Sequence, residues 1–255
     1  MSPKRRSHQD EPFLIVRSIA SDHEAGDAIE RHVHDWHQLV FGSAGVLTIW
    51  TERGSWVAPP QRAVWVVAGT YHSIRFAAAS RLRTLYLRPG SDPHLPTECG
   101  AIAVSPLLHQ LTLRTVELGM LDARDPAEAA LALLIAEELA GSDAPAFELP
   151  QPASTSARRA AELIAADAPG AANGKSLARA VGLGVRTLER RFREETGMSP
   201  GAWRRQHLLL RAMERLAGGA SVKAVAEEAG YAGPSAFVAA FREAFGTTPG
   251  RYFED

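Results

Sequence analysis

Three histidines and a glutamine are spaced so that their donor atoms can gather at one point. His32 and His34 sit two residues apart, which on a β-strand puts both side chains on the same face. His72 follows the Ala68-Gly69 turn onto another strand, and Gln38 lies past a break at residues 35–37. Three neutral imidazoles form a nitrogen set suited to Zn, Ni or Fe(II). Gln38 would add a neutral oxygen, a weaker ligand than a carboxylate. The same side chains serve equally well as the lining of an organic pocket or as hydrogen-bonded core groups, and the sequence leaves these readings open. His37 alternates outward and stands apart. Trp36, Trp50 and Trp65, with Trp56, are candidate walls of an effector pocket, although aromatics in a β-fold also fill cores.

A second group of polar side chains lies near residue 190. Leu188 and Phe192 are four apart and face inward on one helix. Arg186, Thr187, Glu189, Arg190 and Arg193 then occupy the other faces. A helix lying in a DNA major groove needs this pattern: an apolar spine to hold it and exposed donors to reach base edges and phosphates.

The elements that must position these groups differ between the two halves of the chain. Short β-rich runs occur at Phe13–Val16, Gln38–Phe41, Val46–Trp50, Ser55–Val57, Val64–Val67, Ser73–Phe76 and Leu82–Leu87. Turn residues separate them, which predicts a sandwich or barrel. Helical patterns follow at Pro106–Leu118 and Pro126–Leu139, the latter with Asp125 as N-cap and proline at the first helical position. Ala144 to Ser156 carries Pro145, Pro150 and Pro152 and reads as an extended linker. Beyond it only helical periods occur. The expected organisation is a sensor and dimerisation domain at 10–143, a linker at 144–156 and a DNA-binding domain at 157–255, with residues 1–10 a disordered tail.

The C-terminal half repeats itself. Leu177-Ala178, Val181-Gly182, Leu188, Phe192, Arg193-Glu194, Gly197, Pro200-Gly201 and Trp203 have echoes at Val225-Ala226, Ala229-Gly230, Phe237, Phe241, Arg242-Glu243, Gly246, Pro249-Gly250 and Tyr252. The offset is 48 before the turn and 49 after it. Each copy has helix-turn-helix logic. In the first, Ser176 caps a short helix, Gly182 ends it, and a second helix starts near Gly184. In the second, Ser221 caps, Gly230 ends, and Gly233-Pro234 opens the recognition helix. Ser199-Pro200 starts a long helix between the copies, stopped by Gly218-Gly219.

Residues 156–255 resemble the DNA-binding region of AraC/XylS-type transcription regulators. The motifs that carry the likeness are Leu188-x-Arg190-x-Phe192, Glu195-Thr196-Gly197-x-Ser199-Pro200, Val225-Ala226-x-x-x-Gly230-Tyr231, Ser235-x-Phe237, Phe241-Arg242-x-x-Phe245-Gly246 and Thr248-Pro249-x-x-Tyr252. The resemblance implies that the two units bind adjacent major-groove segments. It implies that Arg186, Glu189 and Arg190 read bases from the first unit, and that Pro234, Ser235, Val238 and Ala239 fill the equivalent face of the second. The family often has Arg or Gln where Pro234 and Ala239 stand, so extensive hydrogen-bonded base reading by the second unit is not expected. The N-terminal half is similar to a cupin. His32-x-His34, three residues and Gln38 match the spacing of the first cupin motif, with Gln in place of Glu, and Val67-x-Gly69-x-x-His72 resembles the second. Cupin-like sensor domains precede the paired helix-turn-helix region in many AraC-type regulators.

The implied fold is α+β in two domains: a cupin-like β-barrel with following helices, then an all-α domain of two helix-turn-helix units joined by a long helix. The implied function is sequence-specific transcription regulation, as activator or repressor, under a small-molecule or metal effector in the barrel. The chain is not expected to be an enzyme. The alternatives are a cupin metalloenzyme fused to a DNA-binding module and an architectural DNA binder with no effector. The expected cofactor is at most a divalent transition metal. Expected partners are double-stranded operator DNA, the effector, a second copy of the chain, and RNA polymerase if the protein activates. The dimer would use leucine ridges at Leu107, Leu108, Leu111 and Leu118 and at Leu131, Leu134 and Ile135.

Composition agrees with these readings. Hydrophobic residues make up 45% and charged residues 22%, as in globular domains. No apolar run approaches the ~20 residues that cross a bilayer. The single cysteine, Cys99, excludes an internal disulfide framework and suits a reducing cytoplasm. Net charge is −1, but it is unevenly spread. Residues 156–255 hold 15 basic and 11 acidic residues, and the rest of the chain 13 and 18. The excess of positive charge falls where DNA would be met.

Overall fold

A computed structural model describes residues 13–141, 147–167 and 171–253. The N-terminal tail and the first residues of the expected linker lie outside these. The chain forms two compact units, residues 1–49 with 58–145, and residues 50–57 with 146–255.

The first unit is built on two antiparallel sheets. One has six strands, β1 (Leu14–His23), β3 (His37–Ala44), β6 (Arg62–Val66), β8 (Ser80–Leu87), β9 (Gly100–Ala103) and β10 (Met120–Asp122), in the order β10-β1-β8-β3-β6-β9. The other places β2 (Ala28–His32), β7 (His72–Phe76) and β4 (Leu47–Thr51) side by side. Alternation decides what each face of the larger sheet does. Gln38 pairs with Val66 and Tyr86, while its neighbour Leu39 pairs with Trp65 and Leu85. Leu39, Phe41, Trp65, Leu85 and Leu87 therefore share one face. They form a core with Leu108 and Leu111 of α1 (Pro106–Leu118) and Ile135 and Leu139 of α2 (Pro126–Ala140). Each such side chain contributes about 1.5–3 kcal/mol through burial. Gln38, Val40 and Thr84 occupy the opposite face. Close approach of the two sheets explains Gly42, where a Cβ would stand 2.2 Å from the Leu47 Cδ1 atom.

The helices obey their sequence signals. Ser105 caps α1 through Leu108 N–H, and Asp125 caps α2 through Ala127 and Glu128 N–H. Strand β1 extends seven residues past the expected run, pairing with β8 as far as His23 and Ser80. Its outer half is polar, so hydrophobic alternation does not reveal it. The same holds for β2, whose residues are mostly exposed.

In the second unit, β5 (Gly54–Ala58) pairs antiparallel with β11 (Glu148–Pro150). Helix α3 (Thr155–Ala165) leads into two copies of a helix pair, α4 (Gly174–Ala180) with α5 (Val185–Thr196) and α7 (Val222–Glu228) with α8 (Pro234–Phe245). Helix α6 (Pro200–Ala217) joins them and α9 (Pro249–Tyr252) follows. The helix bounds repeat the sequence offsets, 48 for α4 to α7 and 49 for α5 to α8. Gly197 and Gly246, with φ of 72° and 81°, end the two recognition helices in the left-handed conformation glycine adopts at little cost. One cap differs from expectation. Asn173, not Ser176, caps α4, because its Oδ1 accepts from both Lys175 and Ser176 N–H. Ser176 already lies inside the first turn.

Candidate metal centre and nucleic-acid interface

Strands β2 and β7 bring His32 opposite His72. His34 follows two residues after β2, and Gln38 comes from β3 in the facing sheet. The ring centroids of His32 and His34 lie 4.2 and 5.0 Å from that of His72. One nitrogen from each of the three imidazoles falls within 4.8 Å of the other two. His72 and Gln38 are buried, at 1% and 2% exposure.

Hydrogen bonding fixes where one hydrogen of each ring sits. The Nδ1 atoms of His32, His34 and His72 contact the carbonyl oxygens of Glu30, Trp36 and Thr70 at 2.9, 2.6 and 2.9 Å. A carbonyl only accepts, so each Nδ1 carries a hydrogen. In a neutral ring Nε2 is then a bare lone pair. Burial, reinforced by His32 and His34, lowers the His72 pKa to about 4 against the pull of the Thr70 carbonyl, so this ring is neutral at pH 7.

The orientation of Gln38 follows from its other neighbours. The Thr84 hydroxyl donates to the Leu39 carbonyl at 2.9 Å, so its oxygen must accept from Gln38 Nε2, also at 2.9 Å. Gln38 Nε2 also donates to the Tyr86 hydroxyl at 3.1 Å. Gln38 Oε1 is thus turned to the histidines, 3.0 Å from His34 Nε2 and 2.9 Å from His72 Nε2. An amide oxygen thus faces the Nε2 atoms of two imidazoles, that of neutral His72 a bare lone pair, and His32 adds a third imidazole. Such a donor set has the chemistry to hold a cation.

The tryptophans do not share this site as a common wall. Trp65 lies on the helix-facing side of the six-stranded sheet, opposite Gln38, where its Nε1 donates to the Pro96 carbonyl at 2.9 Å. The one-residue offset between Trp65 and Val66 sets that face, and only strand register reveals it. Trp36 is buried beneath the guanidinium of Arg17, 4.5 Å from the ring centroid, with that of Arg88 at 5.5 Å. Trp50 is 36% exposed and falls in the segment that clusters with the second unit.

In the second unit, the spine and the outer face of each recognition helix are separate sets of residues. Leu188 and Phe192 of α5, and Phe237 and Phe241 of α8, are buried. Arg186, Glu189, Arg190 and Arg193 are exposed and Thr187 is half-buried. Arg190 is held by Glu194, at 2.9 and 3.0 Å from the two carboxylate oxygens. On α8, Pro234, Ser235 and Ala239 are exposed and Val238 half-buried, and with Arg242, Glu243 and Thr248 they line a shallow open hollow. Arg191, which sequence reasoning passed over, is structural: its Nη1 donates to Ser156 Oγ at 2.8 Å and ties α5 to α3.

Comparison with known proteins agrees with both halves of this description. Residues 15–164 match the AraC-like ligand binding domain family, and residues 177–255 match a helix-turn-helix domain family. The chain is similar to the HTH-type transcriptional regulator NimR of Escherichia coli (strain K12), 31% identical over 224 residues, 87% of this chain and 81% of that protein. It is also similar to the HTH-type transcriptional regulator RipA of Corynebacterium glutamicum, 32% identical over 103 residues, 40% of this chain and 31% of that protein. Among solved structures it is similar to the C-terminal domain of AraT, a response regulator from Geobacillus stearothermophilus, with 25% identity and a TM-score of 0.36 over 39% of this chain and 84% of that one. A cupin-like antiparallel sheet domain that matches a ligand-binding family, followed by a paired helix-turn-helix domain, places the chain in the AraC family of transcription regulators.

Proposed function

We propose that the effector of this regulator is a divalent transition metal, held by His32, His34, His72 and the Oε1 atom of Gln38, which sets its affinity for operator DNA. The observation that carries the reading is the convergence of three imidazoles with Gln38 Oε1, which stands 3.0 and 2.9 Å from the Nε2 atoms of His34 and His72. The lone pairs of Gln38 Oε1 and the neutral His72 Nε2 repel at that distance, and a cation bound beside them relieves the repulsion. A bound metal would supply a positive charge that His32, His34, His72 and Gln38 could hold in common. The chain's own groups do the rest. Carbonyls of Glu30, Trp36 and Thr70 fix the tautomers, a second-shell role that orients ligand imidazoles. Thr84 and Tyr86 hold the amide so that its oxygen faces inward. The donor set contains no carboxylate, which suits reversible sensing more than tight retention, and no catalytic turnover is assigned to it.

Two further parts complete the reading. The protein acts on double-stranded operator DNA in the cytoplasm, and on RNA polymerase where it activates. It acts as a homodimer through α1 and α2, which leave Leu107, Leu118, Leu133 and Leu134 exposed at 48%, 38%, 52% and 44% while they bury Leu108, Leu111 and Ile135 against the sheet.

Elemental analysis of protein purified without an affinity tag tests the metal directly. About one equivalent of metal per chain is expected, abolished by the double change His32→Ala with His34→Ala, together with a metal-dependent change in operator affinity. Background metal content in the wild type, or operator affinity indifferent to Zn, Ni and Fe(II), overturns it. In that case a response to organic ligands that the double variant loses would show the site to be an organic pocket.

A further inference from the structure

The two recognition helices can be compared position by position. The offset of 49 pairs Arg186 with Ser235, Glu189 with Val238, Arg190 with Ala239, Arg193 with Arg242 and Glu194 with Glu243. The last two pairs are conserved in type between the units. The first three are not: every long polar side chain at the base-reading positions of α5 is replaced on α8 by a hydroxyl or a methyl-bearing group. Pro234 adds an apolar ring at the helix tip. The substituted positions are exposed or half-buried and lie on one open hollow, while the spine of α8 is unchanged in character, with Phe237 and Phe241 at 0% exposure. The helix is therefore held as firmly as α5 but presents a different surface.

Helix-turn-helix units contact base edges with the N-terminal part of the recognition helix. Arg242 stands eight residues beyond Pro234, roughly 12 Å along the axis, and like Arg193 is placed for the phosphates. What remains for the bases is the Val238 side chain, the Ala239 methyl and the short Ser235 hydroxyl. The major groove offers one apolar feature to such a surface, the C5-methyl of thymine. We infer that α8 recognises its half of the operator by packing Val238 and Ala239 against thymine methyl groups, while α5 reads its half by hydrogen bonds from Arg186, Glu189 and Arg190. The operator then has one half defined by donors and acceptors and the other by methyl positions. This inference rests on DNA binding by the paired helix-turn-helix units and is independent of the metal centre.

Replacing thymine by uracil removes only the methyl and leaves pairing intact. The experiment takes an operator selected in vitro by the full-length protein and replaces its thymines by uracil one at a time. At least one substitution is expected to weaken binding about fourfold or more, the transfer value of a single methyl group. In Val238→Ser protein that penalty should shrink to less than twofold, while uracil substitutions elsewhere in the site act as in the wild type. Val238 is half-buried and outside the Phe237–Phe241 spine, so this variant keeps its fold, as thermal unfolding would verify. Replacement by 5-methylcytosine at the same step should restore part of the lost affinity. The inference is overturned if no uracil substitution costs more than twofold, or if the penalty persists unchanged in both Val238→Ser and Ala239→Ser. Failure of the full-length protein to enrich any sequence would instead overturn the DNA-binding reading beneath it, and this inference with it.

Discussion

Arg190 shows how energies at a single residue decide function. Its ion pair with Glu194 is an exposed i,i+4 contact, worth about 0.3–0.5 kcal/mol. A bidentate contact to guanine is worth about 1–3 kcal/mol, so if Arg190 reads a base as proposed, its guanidinium is expected to leave Glu194 for the DNA. Arg190→Ala should cost that larger amount on operator DNA and much less on random DNA in fluorescence anisotropy at fixed salt. Arg193→Ala should weaken both alike and reduce the salt dependence by about one phosphate contact. His207 offers a test of a different kind. Burial chiefly lowers its pKa to about 4, with Arg211 and Arg204 adding to the shift and the Ala165 carbonyl and Asp167 opposing it. The unfolded chain, with a pKa near 6.5, binds the proton first, so stability falls as pH drops from about 6.5 towards 4. About 2 kcal/mol should be lost by pH 5 relative to pH 7. An NMR titration of the His207 ring should show a midpoint near the lowered value, and His207→Gln should remove that part of the pH dependence of unfolding.

Among the elements, α6 carries more than its role as connector. Trp203, buried at 1% exposure, donates its Nε1 hydrogen to the Pro150 carbonyl at 2.7 Å, and Gln206 Nε2 donates to the Glu148 carbonyl at 3.3 Å. Glu195, at the end of α5, accepts from Ser154 N–H at 2.9 Å. Residues 148–154 thus brace the helices, although their prolines read as a linker. Trp203→Phe should destabilise the helical unit by about 1–3 kcal/mol, since the Pro150 carbonyl loses its donor. A fragment of residues 146–255 should melt above one of residues 156–255, as differential scanning calorimetry would show. The sequence was legible wherever glycine, proline and spine residues punctuate helices: the doubled unit, its one-residue offset and the bounds of α1 and α2 follow from these. The meeting of His32, His34 and His72 was also expected, although β2 ends at His32 and His34 reaches the site from beyond the strand, not from the shared strand face that the i, i+2 spacing suggested. Other features depend on partners distant in the chain. The facing of Trp65 needs the β3–β6 register, the strand β2 has no apolar alternation, and the cap on α4 falls to Asn173 because the chain turns three residues earlier than Ser176 suggests.

At the scale of the whole molecule, exposed leucines on α1 and α2 set the expected assembly. Leu107→Glu with Leu134→Glu should convert a dimer to a monomer in light scattering at tens of micromolar without lowering the melting temperature of the sheet domain, because neither residue belongs to its buried core. The helical domain carries a longer-term consequence. On α5 and α8 the residues that hold the helix and the exposed residues proposed to meet DNA are disjoint sets. Substitutions at 186, 189, 190, 235, 238 and 239 are therefore expected to change what is read while leaving the hydrophobic spine untouched. Such a protein can drift from one operator to another by single steps, none of which passes through an unfolded intermediate. The duplication adds a second freedom, because one copy can keep contact with an ancestral site while the other explores. A library randomised at the three α8 positions should accordingly yield mostly folded proteins with altered targets, a practical route to new promoters.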